Sequence, residues 1–278
     1  MASLGFLSGL SAGAATRKII RAWVSVCLLL IPFSAPQVTA ATSWNYTALG
    51  DSIAFGLYAP PGKGYVPLYA GYVATDNRVS VKLTNLGVPG WTSADLLSAV
   101  RANILFRVSL AGSSVITLDI GGNDLLNARD KYKARTCGGT DNQNCLRSAV
   151  TTFKANWSGI LTEVLSLRRV SNTIIRTMDI YNPFVRADKA ADTWPGDQGN
   201  DFVVLKPYLD EINSYIASSS AASGIPSVKV YRAFNGPNGD VDPGSLGYIA
   251  FDGYHPNGRG HQVIADLFRG AGYAPLRP

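Results

Sequence analysis

Ser114-Val-Ile-Thr-Leu-Asp-Ile-Gly-Gly-Asn-Asp124 is the stretch that decides the fold class of this chain. Residues 114–120 include the apolar side chains Val115, Ile116, Leu118 and Ile120, and a short run this rich in apolar residues is typical of a strand covered on both faces. The two glycines that follow allow a tight turn at the strand end, immediately before Asn123. The stretch therefore predicts a central strand of a parallel sheet, with polar residues at its carboxyl end.

Further apolar runs predict four more strands, at residues 46–49, 81–86, 173–180 and 228–231. Between the runs, residues 146–165 and 205–216 carry apolar side chains at three- and four-residue steps, which indicates amphipathic helices. Pro207 would lie in an early turn of the second helix or kink it. Strands alternating with helices imply right-handed βαβ units, so we expect a three-layer α/β/α sandwich with a mainly parallel five-stranded sheet.

Residues 1–40 differ in character from the rest of the chain. Three basic residues (Arg17, Lys18 and Arg21) precede an apolar run at 22–33, and the small residues Val38 and Ala40 follow. This order predicts a secretory signal cleaved after Ala40, leaving one domain at residues 41–278 in an extracellular protein. A membrane anchor is the competing interpretation, but the run is shorter than the roughly 20 residues that a spanning helix needs.

The net charge argues against nucleic acid as a partner. The whole chain carries +6, but residues 1–40 hold three of the 25 basic residues and none of the 19 acidic ones, which leaves +3 for the remainder. We find no cluster of Lys and Arg that would follow a phosphate backbone. Neither nucleic-acid binding nor stable membrane insertion of the mature chain is expected, and the oligomeric state is not predicted.

Cys137 and Cys145 are an even pair once the leader, with Cys27, has been removed. In an oxidising compartment such a pair predicts a disulfide that closes a small loop. Zinc is the competing interpretation, but the segment has neither a nearby His nor a second Cys pair.

The chain has only two histidines, His255 and His261. His255 follows Asp252 by three residues, so the carboxylate can accept a hydrogen bond from the imidazole and leave its other nitrogen free to act as a base. His261 has no such partner in the sequence, and we interpret it as a packing or capping residue.

Ser52, after the first predicted strand, is the candidate nucleophile. At a strand-to-helix turn, its hydroxyl would project from the sheet edge and its own N–H would point the same way, toward an oxyanion. The alternative is that Gly50-Asp51-Ser52 only caps a helix, since Asp and Ser are favoured there.

Two further residues at strand ends are candidate oxyanion donors. Gly90 follows the second strand and can offer its backbone N–H near a helix that begins around Thr92. Gly87 is the alternative donor in that loop. Asn123 can hold an oxyanion with its side-chain amide, or can serve only as a helix cap.

Several other hydrolase classes do not fit. Residues 41–278 lack both the Gly-x-Ser-x-Gly elbow of α/β-hydrolases and the His-Glu-x-x-His motif of zinc peptidases. Two histidines are too few for the usual zinc sets. The segment 238–242 resembles the start of a calcium loop, but Pro243 stands where such a loop needs glycine, and no Glu follows at its end. We expect neither a metal nor a cofactor.

Taken together, four blocks resemble the GDSL, or SGNH, hydrolase family, and they occur in the family's order: Gly50-Asp51-Ser52, Gly90, Gly121-Gly122-Asn123-Asp124 and Asp252-Gly-Tyr-His255. The resemblance implies a flavodoxin-like sandwich, a nucleophilic Ser52, an Asp252–His255 couple, and an oxyanion hole formed by Ser52, Gly90 and Asn123.

The predicted activity is hydrolysis of small-molecule or lipid carboxylic esters by a secreted esterase or lipase. Two alternatives stay open: an acetylesterase acting on xylan or pectin, and an inactive member of the fold that binds glycans or surfaces. Phe184 and Trp194, in the loop 182–200, and the segment 55–65 could wall the cleft for an acyl chain or be ordinary surface loops.

Overall fold

A computed structural model describes residues 42–196 and 199–277, and in this part of the chain five strands form one parallel sheet. The sheet order is β2-β1-β3-β4-β5. The strands are β1 (Ser43–Gly50), β2 (Ser80–Gly87), β3 (Val115–Leu118), β4 (Ile174–Met178) and β5 (Ser227–Val228).

Helices connect and follow these strands. They are α1 (Ser52–Phe55), α2 (Tyr65–Asn77), α3 (Ser93–Ala102), α4 (Ile104–Ala111), α5 (Gly122–Lys133), α6 (Asn144–Leu167), α7 (Val185–Lys189), α8 (Asp201–Ala222), α9 (Val230–Asn235) and α10 (Gly258–Gly270). The two predicted amphipathic helices are α6 and α8, and Pro207 lies inside α8.

Apolar side chains cover both faces of the sheet, which makes three layers. Ile116 of β3 belongs to a core that includes α3, α6 and α8, whereas its neighbour Val115 belongs to a second core that includes α2 and α10. All four residues of β3 are buried, as expected for a central strand. The predicted α/β sandwich with a parallel five-stranded sheet is confirmed, and its strand order is that of flavodoxin-like folds.

The register brings the functional segments to one edge. β1 pairs with β2 on one side, up to Gly50 opposite Gly87, and with β3 on the other, where Leu49 lies opposite Leu118. The chain order reverses at this point, because β1 is followed in the chain by β2 on one side of it, whereas β3 is followed by β4 on the other side. Ligands of open α/β folds bind at the carboxyl ends of the strands beside such a reversal.

The prediction of a strand over 228–231 is wrong beyond its first residue. The strand ends at Val228, and α9 begins at Val230. The reason is a long-range contact: the carboxylate of Asp179 accepts a hydrogen bond from the backbone N–H of Tyr231 at 2.7 Å. An acidic side chain at this point satisfies a free donor of the first helical turn.

The predicted leader falls on residues 1–40, which lie outside the described residues. Within the described part of the chain, no helix is both long enough and apolar enough to cross a membrane.

Candidate active site

Ser52 is the first residue of α1, directly after β1, and it is almost completely buried. The side chain of Asp51 caps this short helix by accepting a hydrogen bond from Ile53 N at 2.9 Å. The Gly50-Asp51-Ser52 turn can therefore cap the helix and also carry the nucleophile. Asp51 provides the cap, and the hydroxyl group of Ser52 remains available for catalysis. In the described part of the chain, the N–H of Ser52 donates to no protein atom, so it is free to hold an oxyanion.

His255 joins Ser52 to Asp252. Its Nε2 lies 2.8 Å from Ser52 Oγ, and its Nδ1 is hydrogen-bonded to Asp252 Oδ2. Oδ1 of the same carboxylate accepts the backbone N–H of His255 at 3.2 Å. With Nδ1–H donating to Asp252, the lone pair of Nε2 faces the serine hydroxyl. This is the geometry that proton transfer from a serine nucleophile requires.

Asn123 lies in the first turn of α5 and lines the same cavity as Ser52 and His255. Its Nδ2 donates one hydrogen bond to the carbonyl oxygen of Trp91 at 2.8 Å. An amide nitrogen carries two N–H groups, so the second remains for a ligand. The N-cap of α5 is Gly121 and the helix begins at Gly122, so the capping interpretation of Asn123 does not hold.

The structure distinguishes Gly90 from Gly87. The N–H of Gly87 donates to Asn85 Oδ1 at 3.0 Å, and a Cβ on Gly87 would lie 2.5 Å from the backbone nitrogen of Phe55. Gly90 has φ +83°, which favours glycine, and its N–H donates to no atom of the described residues. Gly90 is thus the better donor candidate, although it lies outside the cavity lining and is tied to it through Trp91 and Asn123.

Two buried carboxyl groups, those of Asp51 and Asp119, lie next to each other at the turn that carries the nucleophile, a contact that the sequence did not predict. Asp119 Oδ1, at the end of β3, accepts the backbone N–H of Asp51 at 3.3 Å. Burial raises the pKa of Asp51 to about 7, and burial together with the charge of Asp51 raises the pKa of Asp119 well above its ordinary range. Both shifts favour the protonated form of this pair over the doubly ionised form, and protonation reduces the negative charge behind Ser52.

A cavity of about 130 Å³ opens beside Ser52. Most of its lining is apolar, and Phe184 contributes to it, as the sequence suggested. Trp194 does not line the cavity and packs instead on a small core cluster behind it. Phe55 is 55% exposed and is likewise not part of the lining.

A salt bridge that the sequence analysis missed closes one side of the cavity. Arg129 of α5 donates from Nε and Nη2 to the Asp188 carboxylate of α7, at 3.1 and 2.6 Å. The guanidinium lies 4.0 Å from the centroid of the Phe184 ring. The partners are 59 residues apart, so no local pattern could have paired them.

Cys137 and Cys145 lie with their sulfur atoms within bonding distance and their Cα atoms 4.8 Å apart. A bond between them closes the short loop between α5 and α6, which is the loop that the predicted disulfide was expected to close.

His261 is completely buried, and its Nδ1 accepts the backbone N–H of Tyr65 at 3.2 Å. Since Tyr65 begins α2, the side chain of His261 caps that helix. Burial lowers the pKa of His261 to about 4, which keeps the imidazole neutral. His261 is thus a structural residue, in agreement with the sequence interpretation.

The chain matches the sequence profile of the GDSL-like Lipase/Acylhydrolase family over residues 48–263. It belongs to this family of hydrolases. A relative, the spore germination lipase LipC of Bacillus licheniformis, is 24% identical over 84% of this chain and 98% of its own length. The uncharacterized protein YpmR of Bacillus subtilis is 25% identical, over 78% of this chain and 77% of its own length.

Solved structures have the same fold. The lipase Lip_vut3 from a goat rumen metagenome superposes with a TM-score of 0.68 at 23% identity, covering 84% of this chain and all of that one. A variant of Axe2, an acetylxylan esterase of Geobacillus stearothermophilus, gives a TM-score of 0.56 at 17% identity, over 86% of this chain and 99% of that one.

Proposed function

We propose that this protein is a secreted serine esterase or lipase that hydrolyses carboxylic esters through an acyl-enzyme on Ser52. The observation that carries the proposal is the hydrogen-bonded series from Ser52 Oγ to His255 Nε2, at 2.8 Å, and from His255 Nδ1 to Asp252. Membership in the GDSL-like Lipase/Acylhydrolase family supports the same chemistry.

The reaction begins when Ser52 Oγ attacks the ester carbonyl carbon and its proton passes to His255 Nε2. The carbonyl oxygen becomes an oxyanion, held by N–H donors from Ser52, Gly90 and Asn123. Collapse of this intermediate breaks the bond to the alcohol oxygen, which takes the proton from His255. Water then attacks the acyl-enzyme, gives a proton to His255 and releases the acid, while Ser52 recovers its proton. Asp252 stabilises the imidazolium that forms in each half-reaction.

The test is hydrolysis of p-nitrophenyl esters from acetate to palmitate by the protein beginning at Ala41. Ser52→Ala and His255→Ala should each lose nearly all turnover, by about 10⁴-fold or more. His261→Asn is the matched control, because it removes the only other histidine, outside the proposed machinery. Turnover that survives Ser52→Ala would refute the serine mechanism, and a folded wild-type protein inactive on every ester would refute the esterase activity.

A second candidate activity is deacetylation of polysaccharides. Its support is that the solved structures with this fold include an acetylxylan esterase. Release of acetate from acetylated xylan or pectin that exceeds turnover of every longer p-nitrophenyl ester would favour it. Ser52-independent retention on glycans without any ester turnover would favour a binding protein instead.

Secretion is part of the proposal and rests on the leader pattern of residues 1–40. Sequencing the amino terminus of the protein recovered from the medium of a secreting host tests it. A terminus at Ala41 is expected, and retention of residues 1–40 on a membrane-bound product would contradict it.

A further inference from the structure

The cavity beside Ser52 follows helix α5 inward. Gly122 and Asn123 border it at the first turn, Leu125 and Leu126 at the next, and Arg129 one turn further. At 1.5 Å per residue, the distance along the helix from Gly122 to Arg129 is about 10 Å. The cavity therefore extends well beyond the space that an acetyl group on Ser52 would fill.

The inner part of the cavity suits hydrocarbon. Its walls are apolar side chains from four elements or their ends: Leu125, Leu126, Leu146, Met178, Ile180, Leu205 and Leu209. Its two charged side chains, Arg129 and Asp188, are bonded to each other. A sugar hydroxyl placed here would lose its hydrogen bonds to water without gaining new partners, at a cost of about 1–3 kcal/mol for each group.

The leaving alcohol has a different exit. His255 must protonate the alcohol oxygen, so the alcohol lies beside the imidazole. The loop that carries His255 is open to solvent, with Phe251 89% exposed and Tyr254 37% exposed. The apolar part of the cavity, which runs along α5, is left for the acyl group.

The inner end of the cavity is fixed by core packing. Leu146 of α6 and Leu205 of α8 are both buried, and they pack in one cluster with Ala128, Tyr132 and Cys137. Leu146 directly follows Cys145, whose sulfur lies within bonding distance of that of Cys137. An end wall tied to the core in this way cannot yield easily to a longer chain.

We propose that this cavity is the acyl-chain subsite of the enzyme and that Leu146 and Leu205 set the longest chain it accepts. The preferred substrates are then esters of medium-length fatty acids, not acetyl esters of polysaccharides. The inference rests on the proposed serine esterase function and specifies the substrate class of that same site.

The test compares kcat/KM for p-nitrophenyl acetate, butyrate, octanoate and palmitate in the wild type and four variants. Leu146→Phe should shorten the cavity and lower kcat/KM for octanoate by about tenfold or more, while acetate changes by less than about threefold. Leu146→Ala and Leu205→Ala should lengthen it and move the preferred ester to a longer chain. Val203→Ala is the control, because Val203 lies two residues before Leu205 on α8 and is 51% exposed.

Two failures are distinguishable. If the chain-length profile of the folded variants matches that of the wild type while Ser52→Ala abolishes turnover, the acyl subsite is wrong and the esterase function stands. If no ester shows Ser52-dependent turnover, the function fails and the subsite with it. If Leu146→Phe does not fold, Leu205→Ala still tests the proposal, because it enlarges the cavity. A chain-length profile of kcat/KM in Leu205→Ala that matches the wild type would then overturn the proposal.

Discussion

Asp119 Oδ1 lies 1.6 Å from the point that a β-carbon on Gly50 would occupy. The same oxygen accepts the backbone N–H of Asp51, so the carboxyl at the end of β3 clamps the turn that carries Ser52. The first block of the family resemblance thus requires its glycine because a side chain from the next strand fills the space, and not only because of the turn.

Gly50→Ala is expected to lower the free energy of unfolding by about 3 kcal/mol or more, because the new methyl group overlaps a buried carboxyl that is held in place. Urea denaturation measures the change. Activity should fall as well, since displacement of Asp119 moves the backbone of Asp51 and the adjacent nucleophile.

Gly71→Ala provides the matched control for that substitution. Gly71 lies in the exposed part of α2, and an added Cβ would meet no atom within 4 Å. The replacement should stabilise the protein by about 0.5–1 kcal/mol. Equal effects of the two replacements would show that the contact with Asp119 does not limit residue 50.

Asp119→Asn should make stability less dependent on pH. Because burial raises the pKa of Asp119 well above its ordinary range, the folded protein holds a proton that the unfolded chain releases above about pH 4. Rising pH therefore favours the unfolded wild-type chain. The amide in Asp119→Asn does not titrate, so residue 119 no longer makes the stability of the variant depend on pH. The stability advantage of Asp119→Asn over the wild type should grow from pH 4 to pH 8, as measured by urea denaturation. A constant difference would mean that Asp119 is ionised in the folded protein.

Features of the fold that depend on local periodicity were predictable from the sequence. The apolar run of β3 and the helical spacing of α6 each reveal burial directly, and strand ends then place Ser52 and Asn123 at one edge of the sheet. The Asp252–His255 couple was predictable because its two members are three residues apart.

Features that depend on contacts between segments distant in the sequence could not be predicted from local patterns. Asp51 and Asp119 are 68 residues apart, and the sequence shows neither that they meet nor that water is excluded from them. The end of β5 was misplaced for the same reason, since the N-terminal turn of α9 is held by a carboxylate 52 residues earlier in the chain. Gly87 and Gly90 became distinguishable only when their N–H partners were known.

His261 should make the protein less stable in acid. The folded protein lowers the pKa of this imidazole from 6.5 to about 4, so between these values the unfolded chain binds the extra proton. The stability is therefore unaffected by this group above pH 6.5. As the pH falls from 6.5 toward 4, protonation of His261 in the unfolded chain lowers the free energy of unfolding by about 3 kcal/mol in total.

His261→Asn isolates this effect, because an amide oxygen can replace Nδ1 as acceptor for Tyr65 N and does not titrate. The difference in unfolding free energy between wild type and variant should shift by about 3 kcal/mol against the wild type between pH 7.5 and pH 4. If the difference is independent of pH, His261 is not the neutral, buried group that the structure describes.

Replacing both Cys137 and Cys145 with Ser should lower the free energy of unfolding by about 2.5 kcal/mol, which is the entropy of closing so short a loop in the unfolded chain. Thermal denaturation with and without a reducing agent gives the measurement. The double variant should be insensitive to the reductant and as stable as the reduced wild type. If the reductant leaves the wild type unchanged as well, the two thiols are not joined.

Asn123→Ala should lower kcat by about 10²–10³-fold with little change in KM, because the amide would hold charge that develops only in the transition state. The amide also binds the carbonyl oxygen of Trp91, so a shifted loop could produce a similar loss. Asn156→Ala separates the two causes, since Asn156 supports the neighbouring helix start by donating to Ser93 Oγ at 2.9 Å and lies outside the cavity lining. Steady-state kinetics on a butyrate ester should show Asn156→Ala within about threefold of wild type. A loss in Asn156→Ala as large as that in Asn123→Ala would mean that loop position, and not oxyanion binding, accounts for the effect.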